Sequence, residues 1–240
     1  MDIKSKFEEE GYVSPLDALS ANEVLHYREC FDELEAEVGK DKAQISLSYK
    51  EFEYPWIWEL ATHEKILDRV QEVYGEDIVF IATHFFCKYP EKEKTHYVAW
   101  HQDATYWGIK PSETITVWLA LDDVDVENGC MQVIPHSHKL GILEHGKGDE
   151  ESNLLSINQA IDEDLFSPDT AVNLCMKAGQ LSLHEGRTIH GSQSNLSDRR
   201  RCGLTIRYIR PNVVLEGENE RWNPVLLRGE DRYGHLDYVR

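Results

Sequence analysis

The sequence predicts an α+β chain with a mainly β core, an antiparallel sandwich or barrel preceded by helices. Two observations carry that expectation. Up to about residue 77, apolar residues recur at helical spacing. From residue 78 the chain breaks into eight short runs rich in β-branched and aromatic residues, punctuated by Gly, Pro, Asn and Asp, with no helical stretch between them.

In order along the chain, Ser20-Ala21-Asn22-Glu23 reads as a capping box. Val24, Tyr27, Phe31, Leu34 and Val38 follow on one helical face, and Gly39 ends the helix. A second helical stretch carries Ile57, Leu60, Ile66, Leu67, Val70 and Val73 and stops near Gly75. The strand-like runs are IVFIATHFFCK, YVAWHQD, TITVWLAL, CMQVIP, AVNLCM, GQLSLH, TIHGSQS and CGLTIRYI. One connection, residues 139–168, is long, polar and acidic. It reads as a loop with at most one short helix, and its length makes it a candidate lid.

Composition excludes several classes of function. The chain has 240 residues, enough for one large domain, and 41% hydrophobic with 10% aromatic residues is the composition of a folded protein. Mean hydropathy is −0.52 and no apolar run approaches the ~18 residues of a membrane span. The opening MDIKSKFEEEGYVS lacks the apolar region of a secretory signal, so the expected location is cytoplasmic. Lys and Arg total 25 against 44 Asp and Glu, a net charge of −19, which argues against nucleic acid and anionic membranes as partners. The five cysteines are odd in number and show no C-x-x-C spacing, the mark of reduced thiols without a zinc site.

Three constellations carry chemistry. In His101-Gln102-Asp103, an imidazole and a carboxylate two residues apart on a strand face the same side. Thr188-Ile189-His190-Gly191-Ser192 follows a tight turn at Glu185-Gly186-Arg187. Each motif alone is commonplace, a surface His–Asp pair or a structural strand histidine. Together they offer two imidazoles and one carboxylate, the facial triad of non-haem Fe(II) oxygenases, which leaves three metal positions open. His136, His138 and His184 compete for the ligand role. The third constellation is the run Asn195 to Arg201 with three consecutive arginines. Arg201 opens a strand on which Arg201, Gly203, Thr205 and Arg207 share a face. A guanidinium on the inside of a barrel needs an anion, and a dicarboxylate cosubstrate would supply one by bidentate pairing.

The segments WHQDATYWGIKPSETITVWLALDDVDVENGCMQVIPHSHKLG and AGQLSLHEGRTIHGSQSNLSDRRRCGLTIRYIRP, together with FEEEGYVSPLDALSANEV, resemble the phytanoyl-CoA dioxygenase (PhyH) family of Fe(II)/2-oxoglutarate-dependent oxygenases. H-x-D, the later H-G-S, an Arg eleven residues after that His, and N-G-C-x-x-x-x-P-x-S-H carry the resemblance; residues 139–168 match least. It implies a double-stranded β-helix (jelly-roll) core with N-terminal helices packed outside it, in a single domain over 1–240. Residues 1–77 would be mainly helical, 78–211 the core with its long loop or lid at 139–168, and 212–240 a C-terminal extension. It also implies that His101, Asp103 and His190 bind iron, and that Arg201 pairs with the distal carboxylate of 2-oxoglutarate while Ser192 hydrogen-bonds the same group. Trp118 would lie against the cosubstrate, as would His84, on the strand before the metal motif. The family uses the turn carrying His136 and His138 structurally, and His184 lacks both the following Gly-Ser and the spaced arginine.

The expected activity is hydroxylation of a C–H bond in a small polar metabolite at a bound Fe(II), with 2-oxoglutarate and O2 consumed and succinate and CO2 released. Halogenating relatives need a small residue where Asp103 stands, so hydroxylation is the expected outcome. The acidic surface argues against an acyl-CoA substrate. Arg207 reads either as a site for a small substrate anion or as one half of a structural ion pair. Trp100, Tyr106 and Trp107 flank the metal motif, either against substrate or filling core. Two alternatives are a non-catalytic jelly-roll protein that binds a small molecule or metal, and a cupin enzyme independent of 2-oxoglutarate. The triad with Arg201 speaks against the first, and Arg201 with Ser192 against the second.

Overall fold

Ser20 starts the longest helix with a reciprocal cap. Its hydroxyl accepts from the Glu23 amide, and the Glu23 carboxylate accepts from the Ser20 amide at 2.6 Å. The computed structural model describes residues 2–239 except 46, 92, 94, 156 and 217–221; the side chains of Ile45 and Tyr106 also lie outside the described residues, the latter being one of the three aromatics flanking the metal motif. The helices are α1 (Ile3–Glu10), α2 (Ala21–Val38), α3 (Lys40–Ile45), α4 (Pro55–Ala61) and α5 (Glu64–Tyr74). The second helical stretch is thus two helices. The Thr62 amide and hydroxyl both donate to the Trp58 carbonyl, and His63 is extended before α5 begins. Apolar spacing hides the break because Ile57 and Leu60 before it, and Ile66 and Val70 after it, bury into one core.

The strands are β1 (Tyr12–Asp17), β2 (Ile78–Lys88), β3 (Val98–His101), β4 (Ile109–Lys110), β5 (Ile115–Ala120), β6 (Met131–Val133), β7 (His145–Lys147), β8 (Gln159–Ile161), β9 (Val172–Asn173), β10 (Gln180–Glu185), β11 (His190–Ser192), β12 (Arg201–Ile209), β13 (Val214–Leu215) and β14 (Val225–Arg228). They form a mainly β architecture of antiparallel sheets. The large sheet runs β1-β10-β5-β12-β2-β14 and a second runs β3-β11-β6-β9; β13 pairs with β4 and β7 with β8. Sequence pattern missed β1, whose Pro15 fits an edge strand, and the β7–β8 pair within residues 139–168.

Alternation along the large sheet sorts its two faces. Phe85, Val117, Leu119, Leu183, Leu204 and Ile206 point outward and pack with Phe31, Leu34, Leu60 and Val70 of the helices. The other face carries the polar residues in rows set by register. One row reads His184, Thr116, Arg207, Ala82; the next reads Ser182, Trp118, Thr205, His84; farther along, Gly203 lies between Ala120 and Phe86, and Arg201 pairs with Lys88. No helix among the described residues is long and apolar enough to cross a membrane.

Candidate metal centre

His101 ends β3 and His190 begins β11, and the two are direct partners in the ladder. Asp103 does not continue the strand: it starts a 3-10 turn, Asp103–Tyr106. Its approach to His101 therefore comes from the turn after β3 and not from strand alternation, as the H-x-D spacing suggested. Asp103 Oδ1 lies 3.6 Å from His101 Nε2 and 4.0 Å from His190 Nε2. All three residues are buried, and their ligand atoms lie within 4.8 Å of one another, the only such His/Cys/Asp/Glu group among the described residues.

Backbone and neighbouring side chains aim these atoms. His101 Nδ1 bonds the Ala99 carbonyl at 2.8 Å and His190 Nδ1 the Thr188 carbonyl at 2.9 Å. With each Nδ1–H donating, each Nε2 keeps its lone pair for a metal. Thr116 donates its hydroxyl to Asp103 Oδ2 at 2.9 Å, leaving Oδ1 free toward the histidines. Burial pushes the Asp103 carboxyl up, but the neighbouring His101 and His184 imidazoles and the charges of His190 and Arg207 outweigh it and hold the group well below the usual carboxylate range. Burial, then the neighbouring His101 and His184, holds His190 well below the usual histidine range, as a neutral ligand requires. A carboxylate beside two neutral imidazoles suits a divalent first-row metal.

His184 also joins this cluster. It is 1% exposed, its Nε2 stands 3.5 Å from Asp103 Oδ2, and neither ring nitrogen has a hydrogen-bond partner. His136 and His138 turn away, to the Glu9 and Glu8 carbonyls of α1.

Arg201 lines the same cavity as the triad. It is 2% exposed, its guanidinium lies 5.2 Å from the Trp118 ring centre, and its Nε has no partner. Burial pulls its pKa down to about 10. A buried cation of this kind fits a carboxylate-bearing ligand. Ser192 reaches this region as well, and its hydroxyl accepts from Lys88 Nζ at 2.6 Å.

Lys88 escaped sequence reasoning. It is Arg201's partner across β2 and β12, is 2% exposed, and also bonds the Ser192 and Gln193 carbonyls. Burial, then the Arg201 charge, holds its ammonium well below the usual lysine range. The available signal was parity: Lys88 shares the inward face of β2 with His84 and Phe86. Gln102, the middle residue of H-x-D, was likewise silent. It is fully buried and donates to the Gly141 and Arg187 carbonyls while accepting from the Leu143 amide, tying the start of residues 139–168 to the site.

His84 sits away from Arg201, four residues along β2 from Lys88. It bonds Ser48, and burial with the nearby Arg207 charge lowers its pKa to about 3. It lines a second cavity, of about 310 Å³, that also reaches His101 and Asp103 and is roofed by Leu154, Leu155 and Ile157. Trp107 borders this cavity, whereas Trp100 packs against Phe166, 5.6 Å between ring centres.

A family model described as phytanoyl-CoA dioxygenase (PhyH) matches residues 7–203. A Dictyostelium discoideum phytanoyl-CoA dioxygenase domain-containing protein 1 homolog is 32% identical over 124 residues, 51% of this chain and 44% of that protein. A probable alpha-ketoglutarate-dependent hypophosphite dioxygenase of Stutzerimonas stutzeri is 30% identical over 149 residues, 62% of this chain and 51% of that protein. The chain thus spans about half the length of these curated relatives. Among solved structures, the non-heme monooxygenase ThoJ in its apo form is 30% identical with a TM-score of 0.79, covering 100% of this chain and 88% of that one.

Proposed function

Because the chain belongs to the phytanoyl-CoA dioxygenase family, we propose that it is a non-haem Fe(II)- and 2-oxoglutarate-dependent oxygenase, built on a double-stranded β-helix, that hydroxylates a C–H bond of a small polar metabolite and releases succinate and CO2. One observation carries this reading: His101, Asp103 and His190 converge at a point in the same cavity that holds the buried guanidinium of Arg201, whose Nε has no hydrogen-bond partner. A jelly-roll protein that merely binds metal has no need of that buried cation, and neither does a cupin enzyme independent of 2-oxoglutarate.

The residues divide the work. His101, Asp103 and His190 would hold iron on one face, and Thr116 would keep the outer oxygen of Asp103 from swinging away. Arg201 would receive the distal carboxylate of 2-oxoglutarate, with Trp118 fixing the guanidinium from one side. Lys88 would hold Ser192 in place. When bound, the iron and cosubstrate supply dioxygen activation and hydrogen abstraction. The protein orients the substrate and excludes water, and the segment over the second cavity serves the second purpose.

Anaerobic addition of Fe(II) and 2-oxoglutarate should produce the weak visible charge-transfer band of the chelate, followed by substrate-stimulated succinate formation on admitting air. No band, with or without candidate substrates, would sink this reading in favour of the two alternatives.

A further inference from the structure

We propose that Arg207 is the substrate anchor, and that the substrate is a small molecule bearing a carboxylate or phosphonate oxyanion, held in the cavity lined by Arg207, Trp107, Trp222 and His84. The inference rests on the oxygenase reading for the identity of the reaction, and on the cavity itself for the chemistry recognised.

Among the described residues no carboxylate lies within ion-pair distance of Arg207, so none of them forms the structural ion pair that the sequence left open. Its Nε has no hydrogen-bond partner. One face of the guanidinium is covered by the Trp107 ring, at 4.8 Å, which leaves its donor edge for a ligand. Glu51, whose charge reaches Arg207, keeps its carboxylate on the Thr83 hydroxyl at 2.6 Å, and burial pushes it toward the neutral form. His84, the other titratable group on this wall, is held neutral. The cavity thus presents a cation with no carboxylate at ion-pair distance among the described residues; the one ionised carboxylate on its lining, Asp103, belongs to the proposed metal ligands.

Position separates this cation from Arg201. The two share the inward face of β12 six residues apart, on the order of 20 Å along the strand. In register, Arg207 stands beside Thr116, the residue that holds Asp103. Both arginines line the cavity of the triad, but Arg207 alone of the two also lines the second cavity, so 2-oxoglutarate anchored at Arg201 leaves Arg207 for a second anion. At about 310 Å³ the cavity is at the small end of ligand sites, which suits a metabolite and excludes a long acyl chain. Trp222 packs against both Trp107 and Tyr49, an apolar wall for the part of the substrate nearest His101 and Asp103.

The test uses the full chain with Fe(II) and saturating 2-oxoglutarate under anaerobic conditions, so that added anions do not enter at Arg201. Phenylacetate, phenylphosphonate and neutral phenylacetamide are titrated by calorimetry. At least one oxyanion should bind about tenfold or more tightly than the amide, and which one does so assigns the substrate's acid group. Arg207→Gln should erase the preference, and Arg207→Lys, which keeps the charge without the planar fork, should retain part of it. Equal or undetectable binding of acids and amide by the unmodified protein overturns the proposal, as does a preference that survives Arg207→Gln. The calorimetric preference does not depend on the visible band. Loss of the band therefore counts against the oxygenase reading, and loss of the preference counts against Arg207.

Discussion

Trp118 covers Gly203: a Cβ at residue 203 would stand 2.1 Å from the indole ring. The same ring backs the Arg201 guanidinium at 5.2 Å. Glycine here makes room for an indole that positions the buried cation, and it does so two residues along the strand from that cation. Gly203→Ala should displace Trp118, cost about 1–3 kcal/mol of stability, and weaken 2-oxoglutarate more than Fe(II). Thermal unfolding and anaerobic titration of each ligand check this; an unchanged cosubstrate affinity would refute the stack.

Arg201→Ala should weaken 2-oxoglutarate tens-fold or more, since removing one partner of a buried charge pair costs about 2–5 kcal/mol. Fe(II) affinity should change little, because Arg201 is no part of the convergent ligand set. Equal losses for both ligands would point to misfolding in place of anchoring.

Turnover in high chloride or bromide should give a product without halogen. With iron on the proposed ligand set, Asp103 Oδ1 would occupy the position a halide needs, and Thr116 bonds its other oxygen. Asp103→Ala should open that position and weaken Fe(II) by more than about tenfold. Product mass decides: halogen incorporation by the unmodified protein would remove Asp103 from the ligand set.

His84 makes stability depend on pH in a defined direction. Its pKa in the fold is lowered to about 3 from the ordinary 6.5, so between these values the unfolded chain binds the extra proton and acidification favours unfolding. The stability from this residue is complete above about pH 6.5 and falls away as pH drops toward 3. At pH 5 the loss is about 2 kcal/mol. Denaturant unfolding at pH 7.5 and 5 should show a smaller loss in His84→Asn than in the unmodified protein; parallel losses would refute the assignment.

Several contacts tie residues 139–168 to the strand β3 and its flanks, and Asn153 makes one of them. Its side chain accepts from the Ala99 amide on β3 at 3.1 Å and donates to the Gln159 carbonyl at 3.1 Å. Asn153→Ala should loosen the roof of the second cavity and speed proteolytic cleavage within 139–168, with little change in Fe(II) affinity. Saturation with substrate should slow that cleavage in the unmodified protein. Identical cleavage in all states would argue against a closing role.

The parts legible in the sequence are those whose signal is local. Ser20 with Glu23 specified the start of α2, and Gly39 its end, because a cap is a contact three residues apart. The runs that became β2, β5, β10 and β12 were recognisable because both their faces are buried and their composition says so. The break between α4 and α5 was not, since the apolar face continues across it. Within the candidate site, His101, Asp103, His190 and Arg201 stood out as motifs, whereas Lys88 and Gln102 looked like ordinary polar residues.

Spacing and residue type were enough to nominate two histidines, one carboxylate and an inward arginine as a set. Pairing between distant strands did the rest. It set His190 against His101, Lys88 against Arg201 and Arg207 beside Thr116, partners separated by roughly 90 to 110 positions in the chain. It also moved His84 to the cavity of Arg207 and, among the described residues, left that arginine without a carboxylate at ion-pair distance. No local pattern encodes such outcomes, because whether a buried charge has a partner depends on every segment that folds around it, and only the packed chain brings those segments together.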